Sequence, residues 1–152
     1  MGIALAFHVL SVVVWVGGMF FAYFCLRPSL CDADAKTKTT LWVSVLTRFF
    51  RVVFAAIAAI LASGLYMIYA LGGMHAVGLY VHLMLGFGLV MTLIFLHVYF
   101  APFGRLKRAV ARQEFSAAAE QVNQIRAFVG TNLYIGLIVT VIATCGKYYL
   151  NR

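Results

Sequence analysis

The sequence predicts an all-α protein, a four-helix transmembrane bundle, and three observations predict it. Of 152 residues, 64% are hydrophobic and 11% are charged, where a soluble domain carries about 25% charge. The apolar residues gather into four long runs, each able to cross a hydrocarbon core of roughly 30 Å at about 1.5 Å of rise per residue. The charged residues fall mostly between the runs.

The first run, residues 3–26, holds no charge. It lacks the basic start of a secretory leader and exceeds a leader's apolar region, so it reads as a retained span. Arg27-Pro28 ends it, because proline cannot continue a helix. Residues 27–40 form a polar loop. The second span is expected at about 48–71, with Arg48 and Arg51 on one face at its entrance, reaching the lipid headgroups. Ala55, Ala59 and Ser63 make a ridge of small residues at spacing four, over which another helix can approach closely. Gly72-Gly73-Met74-His75 is the following turn. The third span, about 77–101, ends at Pro102. Residues 103–128 read as a basic surface helix or as helical extensions of spans 3 and 4, and span 4 covers about 127–150. No repeat is visible, and residues 1–152 read as a single integral-membrane domain.

Ten of the twelve Lys and Arg residues lie in or beside the first and third loops, leaving Lys147 and Arg152 on the other side. The positive-inside rule then puts both basic loops in the cytoplasm and both termini outside. The net charge of +8 reads as contact with anionic lipid, with the bilayer as partner; no separate basic module exists for nucleic acid. Cys25, Cys31 and Cys145 form no closely spaced pair and give no disulfide framework.

Within this topology two histidines stand out. His8 and His82 each lie about five residues, roughly 7–8 Å, inside the outer edge of spans 1 and 3. Those spans run in the same direction and face each other across an up-down-up-down bundle. An ionisable side chain inside a membrane points to function, although a membrane histidine can also simply hydrogen-bond a neighbouring helix. Two imidazoles can fill both axial positions of a haem iron. Gly86, one turn below His82, would leave room for a porphyrin edge, and Ser11, Val12, Trp15 and Met19 below His8 would supply a mostly apolar wall. Lys147 and Arg152 lie where haem propionates would emerge. His97 has no second histidine at its level. A haem with both axial positions filled has no open coordination site, so electron transfer is its natural function.

Copper is the competing ligand. Thioethers and thiolates favour Cu(I), and Met74-His75 at the outer turn, Met67 just below, and Cys25 with Cys31 at the inner end can be read as a path. Methionines are also common gap-fillers between apolar helices. All four acids lie in the cytoplasmic loops, which argues against a carboxylate proton relay, a zinc hydrolase with a glutamate base, or a magnesium site. No nucleotide fingerprint is present.

His8, Trp15-Val16-Gly17-Gly18-Met19-Phe20 and Leu26-Arg27-Pro28 resemble the first span of the copper-resistance D (CopD) membrane family. Arg48-Phe49-Phe50-Arg51 leading to Ala62-Ser63-Gly64-Leu65 resembles its following span. The likeness covers spans 1 and 2 well and the rest loosely. It implies copper handling in the bacterial inner membrane. Small four-helix b-haem proteins of the membrane protoporphyrinogen oxidase type (HemJ) are a looser likeness, through His8, Trp15 and Gly17; they carry a lysine in the third span that is missing here. The expectation is an inner-membrane b-type haem protein, its haem between His8 and His82 near the periplasmic face. Its electron partners would be a quinone or a periplasmic redox or copper protein. The alternatives are a copper transport or homeostasis protein using Met74 and His75 with the two histidines, a haem-dependent membrane oxidase, and a cofactor-free partner of a larger complex. A homo-oligomer stays open.

Overall fold

Helix α1, Gly2–Phe21, widens into a π turn over Ala22–Leu26 in which the Arg27 amide donates to the Ala22 carbonyl. A 3-10 turn over Pro28–Leu30 follows. Span 1 therefore stops where Arg27-Pro28 predicts. The structure, a computed structural model, describes residues 1–149, without the side chains of Lys147 and Tyr148.

Helix α2, Ala35–Ala70, begins well before the expected second span and takes up the last residues of the supposed loop. The reason is Asp34. Its carboxylate accepts hydrogen bonds from the Thr37 amide at 2.8 Å and the Thr37 hydroxyl at 2.6 Å, which satisfies the start of the helix. The helix closes at Leu71, and Gly72 and Gly73 follow with φ of 100° and 95°. Both lie in the left-handed region that glycine adopts without strain.

Helix α3, Leu79–Phe100, is followed after Ala101 by α4, Pro102–Ala111. Pro102 ends span 3 as expected, yet it also starts the next helix, where its missing N–H costs nothing. Phe103, Leu106 and Ala109 of α4 are buried, while Arg105, Lys107 and Arg108 are exposed. Arg105 donates to Gln121 and Gln124, tying α4 to α5. Gln113 closes α4 with φ of 60°. Helix α5, Phe115–Tyr149, then returns along the bundle. Residues 103–128 are thus extensions of the two spans, separated by one corner.

Four helical segments are long and apolar enough to cross a membrane: Gly2–Leu26, Ala35–Ala70, Leu79–Ala111 and Phe115–Gly146. They form two hairpins, α1 along α2 and α3 along α5, and α5 also meets α1 and α2. Trp15, Phe50, Phe54, Phe95 and Phe103 join the hairpins edge to face. Glycines set the closest approaches. A Cβ at Gly18 would run into the Phe49 ring, one at Gly130 would come within 3.0 Å of Tyr23, and one at Gly136 within 3.0 Å of Val16.

Candidate functional site

His8 lies two turns into α1, and its half-buried ring rests on α2. Nδ1 is 3.1 Å from the Ile60 carbonyl oxygen and 3.0 Å from Ser63 Oγ. The Ser63 hydroxyl donates to the Ala59 carbonyl, so toward His8 its oxygen is left to accept. A carbonyl can only accept. The set is satisfied when Nδ1 carries the hydrogen, which leaves the Nε2 lone pair uncommitted. Gly64 makes the seat: a Cβ there would stand 3.2 Å from His8 Cε1. An imidazole held through Nδ1–H to a carbonyl, with Nε2 open, has the outer-shell arrangement of a metal-binding histidine.

The ridge of small residues at Ala55, Ala59 and Ser63 announced a close approach to α2. It did not announce that the approaching group is the His8 ring at the level of Ser63. Met67 follows Ser63 by four residues and Gly64 by three, so it lies on the same face one turn further along.

The other expected residues are dispersed. His82 is exposed, and its Nδ1 donates to the Gly78 carbonyl of its own first turn at 3.3 Å. It lies on α3, in the other hairpin, and His8 engages α2 rather than α3. No hydrogen bond joins the two rings among the described residues. At Gly86 and Gly88 an added Cβ would meet nothing within 4 Å, so space is open there. Trp15 is a buried core residue against the edge of Phe95, ring centroids 6.3 Å apart, and about 10 Å along α1 from His8. Met74 and His75 share the exposed 3-10 turn between α2 and α3. His97 is exposed beside Phe128. All three cysteines are exposed and free. Arg152 and the Lys147 side chain, the expected propionate partners, lie outside the described residues.

Among the described residues no three His, Cys, Asp or Glu side chains gather to hold a metal ion. A feature that the sequence reading missed is Asn132, buried in α5. Its amide nitrogen donates to the Met91 carbonyl of α3 at 3.2 Å, and its buried oxygen has no partner among the described residues. A small void beside it is also lined by Trp15 and Met19. An amide side chain in the apolar run after Ala127 is the signal that could have found it. A separate cleft of about 430 Å³ lies among Tyr23, Arg27, Lys38, Trp42 and Arg126, and neither cavity is lined by a histidine.

A family model described as CopD, Copper resistance protein D, matches residues 43–145. The match takes in most of α2, all of α3 and α4, and most of α5, and leaves α1 outside it. No curated protein and no solved structure matches the chain.

Proposed function

The chain belongs to the copper resistance protein D family, and from that premise we propose that it handles copper ions as cargo within the membrane, with His8 as a ligand. The carrying observation is the hydrogen bond from His8 Nδ1 to the Ile60 carbonyl, which leaves Nε2 available. Met67 on the adjoining face of α2 adds a thioether, and Met74 and His75 lie in the turn that follows. A mixed imidazole and thioether set suits Cu(I) over harder divalent ions. So small a donor set holds the ion without a closed cage, which suits cargo that must leave again.

The orientation belongs to the same reading: an inner-membrane protein with both termini and the Met74-His75 turn in the periplasm. It is supported by the ten basic residues at the opposite end. A C-terminal fusion to an enzyme active only in the cytoplasm should be silent; activity there would reverse the topology.

Cu(I) competition between the purified protein and a chromogenic chelator tests the cargo reading. Wild type should take Cu(I) from the chelator, and His8→Ala and Met67→Ala should each lose most of that capacity. Equal uptake by wild type and both variants would overturn it. The haem reading does not fit the described geometry: Gly86 is exposed, so the open space beside it is bundle surface, and His8 and His82, the expected axial ligands, lie in different hairpins with His82 exposed. A low-spin b-type reduced-minus-oxidised spectrum with about one iron per chain, lost in His8→Ala and His82→Ala but kept in Met67→Ala, would put haem in place of copper.

A further inference from the structure

We infer that the cleft among Arg27, Lys38 and Arg126 is a binding site for one anionic phospholipid, independent of the copper reading. The cleft has a volume of about 430 Å³, within the range of a small-molecule site. Three cations line it and no carboxylate does. The two acids of the adjoining loop do not line it, and Asp34 is committed to capping α2 through Thr37. Two of the cations meet neutral groups: the Arg27 guanidinium stands 5.9 Å from the centre of the Tyr23 ring, and Lys38 Nζ donates to the Cys31 carbonyl at 3.1 Å. Among the described residues no carboxylate of the lining offsets the charge of the three.

The rest of the wall decides between a lipid and a free anion. Trp42, Phe49 and Val129 continue the cleft along the helices. A soluble phosphate would leave that apolar wall uncovered, whereas an acyl chain covers it while the headgroup phosphate meets the cations. The cleft also lies where α1 ends and the basic loop begins, at the depth of a lipid headgroup. Tryptophan is the residue that favours this interface. The π turn over Ala22–Leu26 contributes Ala22 and Tyr23 to the wall. Widening the helix there shifts Tyr23 relative to a regular α-helix, as such turns do at functional sites.

The full chain in mild detergent, offered equal amounts of dioleoyl phosphatidylglycerol and dioleoyl phosphatidylethanolamine, should retain the anionic lipid in native mass spectrometry. Arg27→Gln and Arg126→Gln should each lower its occupancy about five-fold, and the pair about twenty-five-fold. Arg112→Gln, on an exposed corner away from the cleft, should leave it unchanged. Equal retention of both lipids, or an unchanged preference in the double variant, would overturn the inference. Displacement of the lipid by millimolar inorganic phosphate would overturn it in favour of a soluble anion. A second readout uses Trp15→Phe, which leaves Trp42 as the sole tryptophan: its fluorescence should be quenched more by brominated phosphatidylglycerol than by brominated phosphatidylethanolamine, and equal quenching would overturn the site.

Discussion

At the basic end of the bundle Leu46, Phe50, Phe103, Leu106, Ala118 and Ile125 are all buried, whereas at the end carrying the N-terminus Ile3, Leu5, Phe7, Leu65, Tyr69 and Leu79 are all exposed. The end that carries nearly all the charge buries its apolar side chains, and the more apolar end leaves them exposed. Helix length explains it. With 36 and 35 residues, α2 and α5 run to more than 50 Å, well beyond a hydrocarbon core of roughly 30 Å. Their basic-end turns, with α4, reach the aqueous interface, and there apolar side chains must cover one another. At the other end lipid does the covering, so helices need pack only where small residues or hydrogen bonds draw them together. One end behaves like a soluble core. The other leaves its helices free to surround something else, and it carries His8, Met67, Met74, His75 and His82.

Substitutions can break this contrast. The largest effect is expected for Phe50→Ala, which empties the aromatic cluster shared with Phe95 and Phe103. It should destabilise by about 3–5 kcal/mol, read by unfolding in detergent, while Phe7→Ala at the lipid-facing end should cost under about 1 kcal/mol. Comparable losses at both positions would show that the packed end is not what holds the protein together.

The adjacent glycines of α1 give a sharper pair. Gly18→Ala should cost about 1–3 kcal/mol, because the new methyl meets Phe49. At Gly17 nothing lies within 4 Å, so Gly17→Ala should be neutral or stabilise by up to about 1 kcal/mol. Equal thermal shifts in both variants would remove the α1–α2 packing argument. Smaller again is Gln113→Gly at the α4–α5 corner. Relieving a left-handed φ of 60° should stabilise by about 1 kcal/mol, and a lowered melting temperature would contradict it.

The smallest effect is a pH dependence at the start of α2. Bonds from the Thr37 hydroxyl and then the Thr37 amide hold the Asp34 carboxyl below its usual pKa. A depressed folded-state value means that the stabilisation is complete above the ordinary Asp value of about 3.9 and is lost as pH falls through the lowered one. The Thr37 amide resonance should titrate with a midpoint below that ordinary value, and Asp34→Ala should abolish the transition. A midpoint at or above it would discard the cap as described.

Much of the fold was legible because lipid imposes simple rules. Arg27-Pro28, Gly72-Gly73 and Pro102 mark real boundaries, since proline locks φ and lacks an N–H, and glycine admits the positive φ that ends a helix, whatever the neighbours do. The start of α2 differs from the expected one because a polar run, DADAKTKTT, reads as loop by composition and as helix only with Asp34 as its cap. For residues 103–128 the sequence allows two descriptions, because their alanines suit either a surface helix or an extension of the spans. Of the site, His8 could be singled out, since a histidine in an apolar run is conspicuous. Its partners could not, because Ile60 contributes a backbone oxygen and Gly64 an absent side chain, and neither leaves a signal in residue identity.

The sequence by itself determined the four crossings, the ends marked by Arg27-Pro28, Gly72-Gly73 and Pro102, the family and the concentration of positive charge at one end of the bundle. Each follows from properties that single residues and runs carry with them: hydropathy, a locked φ, a formal charge. Only the tertiary structure decided which hairpin His8 joins, that Gly18 rather than Gly17 sets the α1–α2 distance, and that Arg27, Lys38 and Arg126, far apart in the chain, line one cleft. Those outcomes depend on helix rotation and on contacts between distant residues. In a bilayer every outward apolar face is equally satisfied, so hydropathy alone leaves rotation open, and it is fixed by small residues, backbone carbonyls and a few aromatic edges.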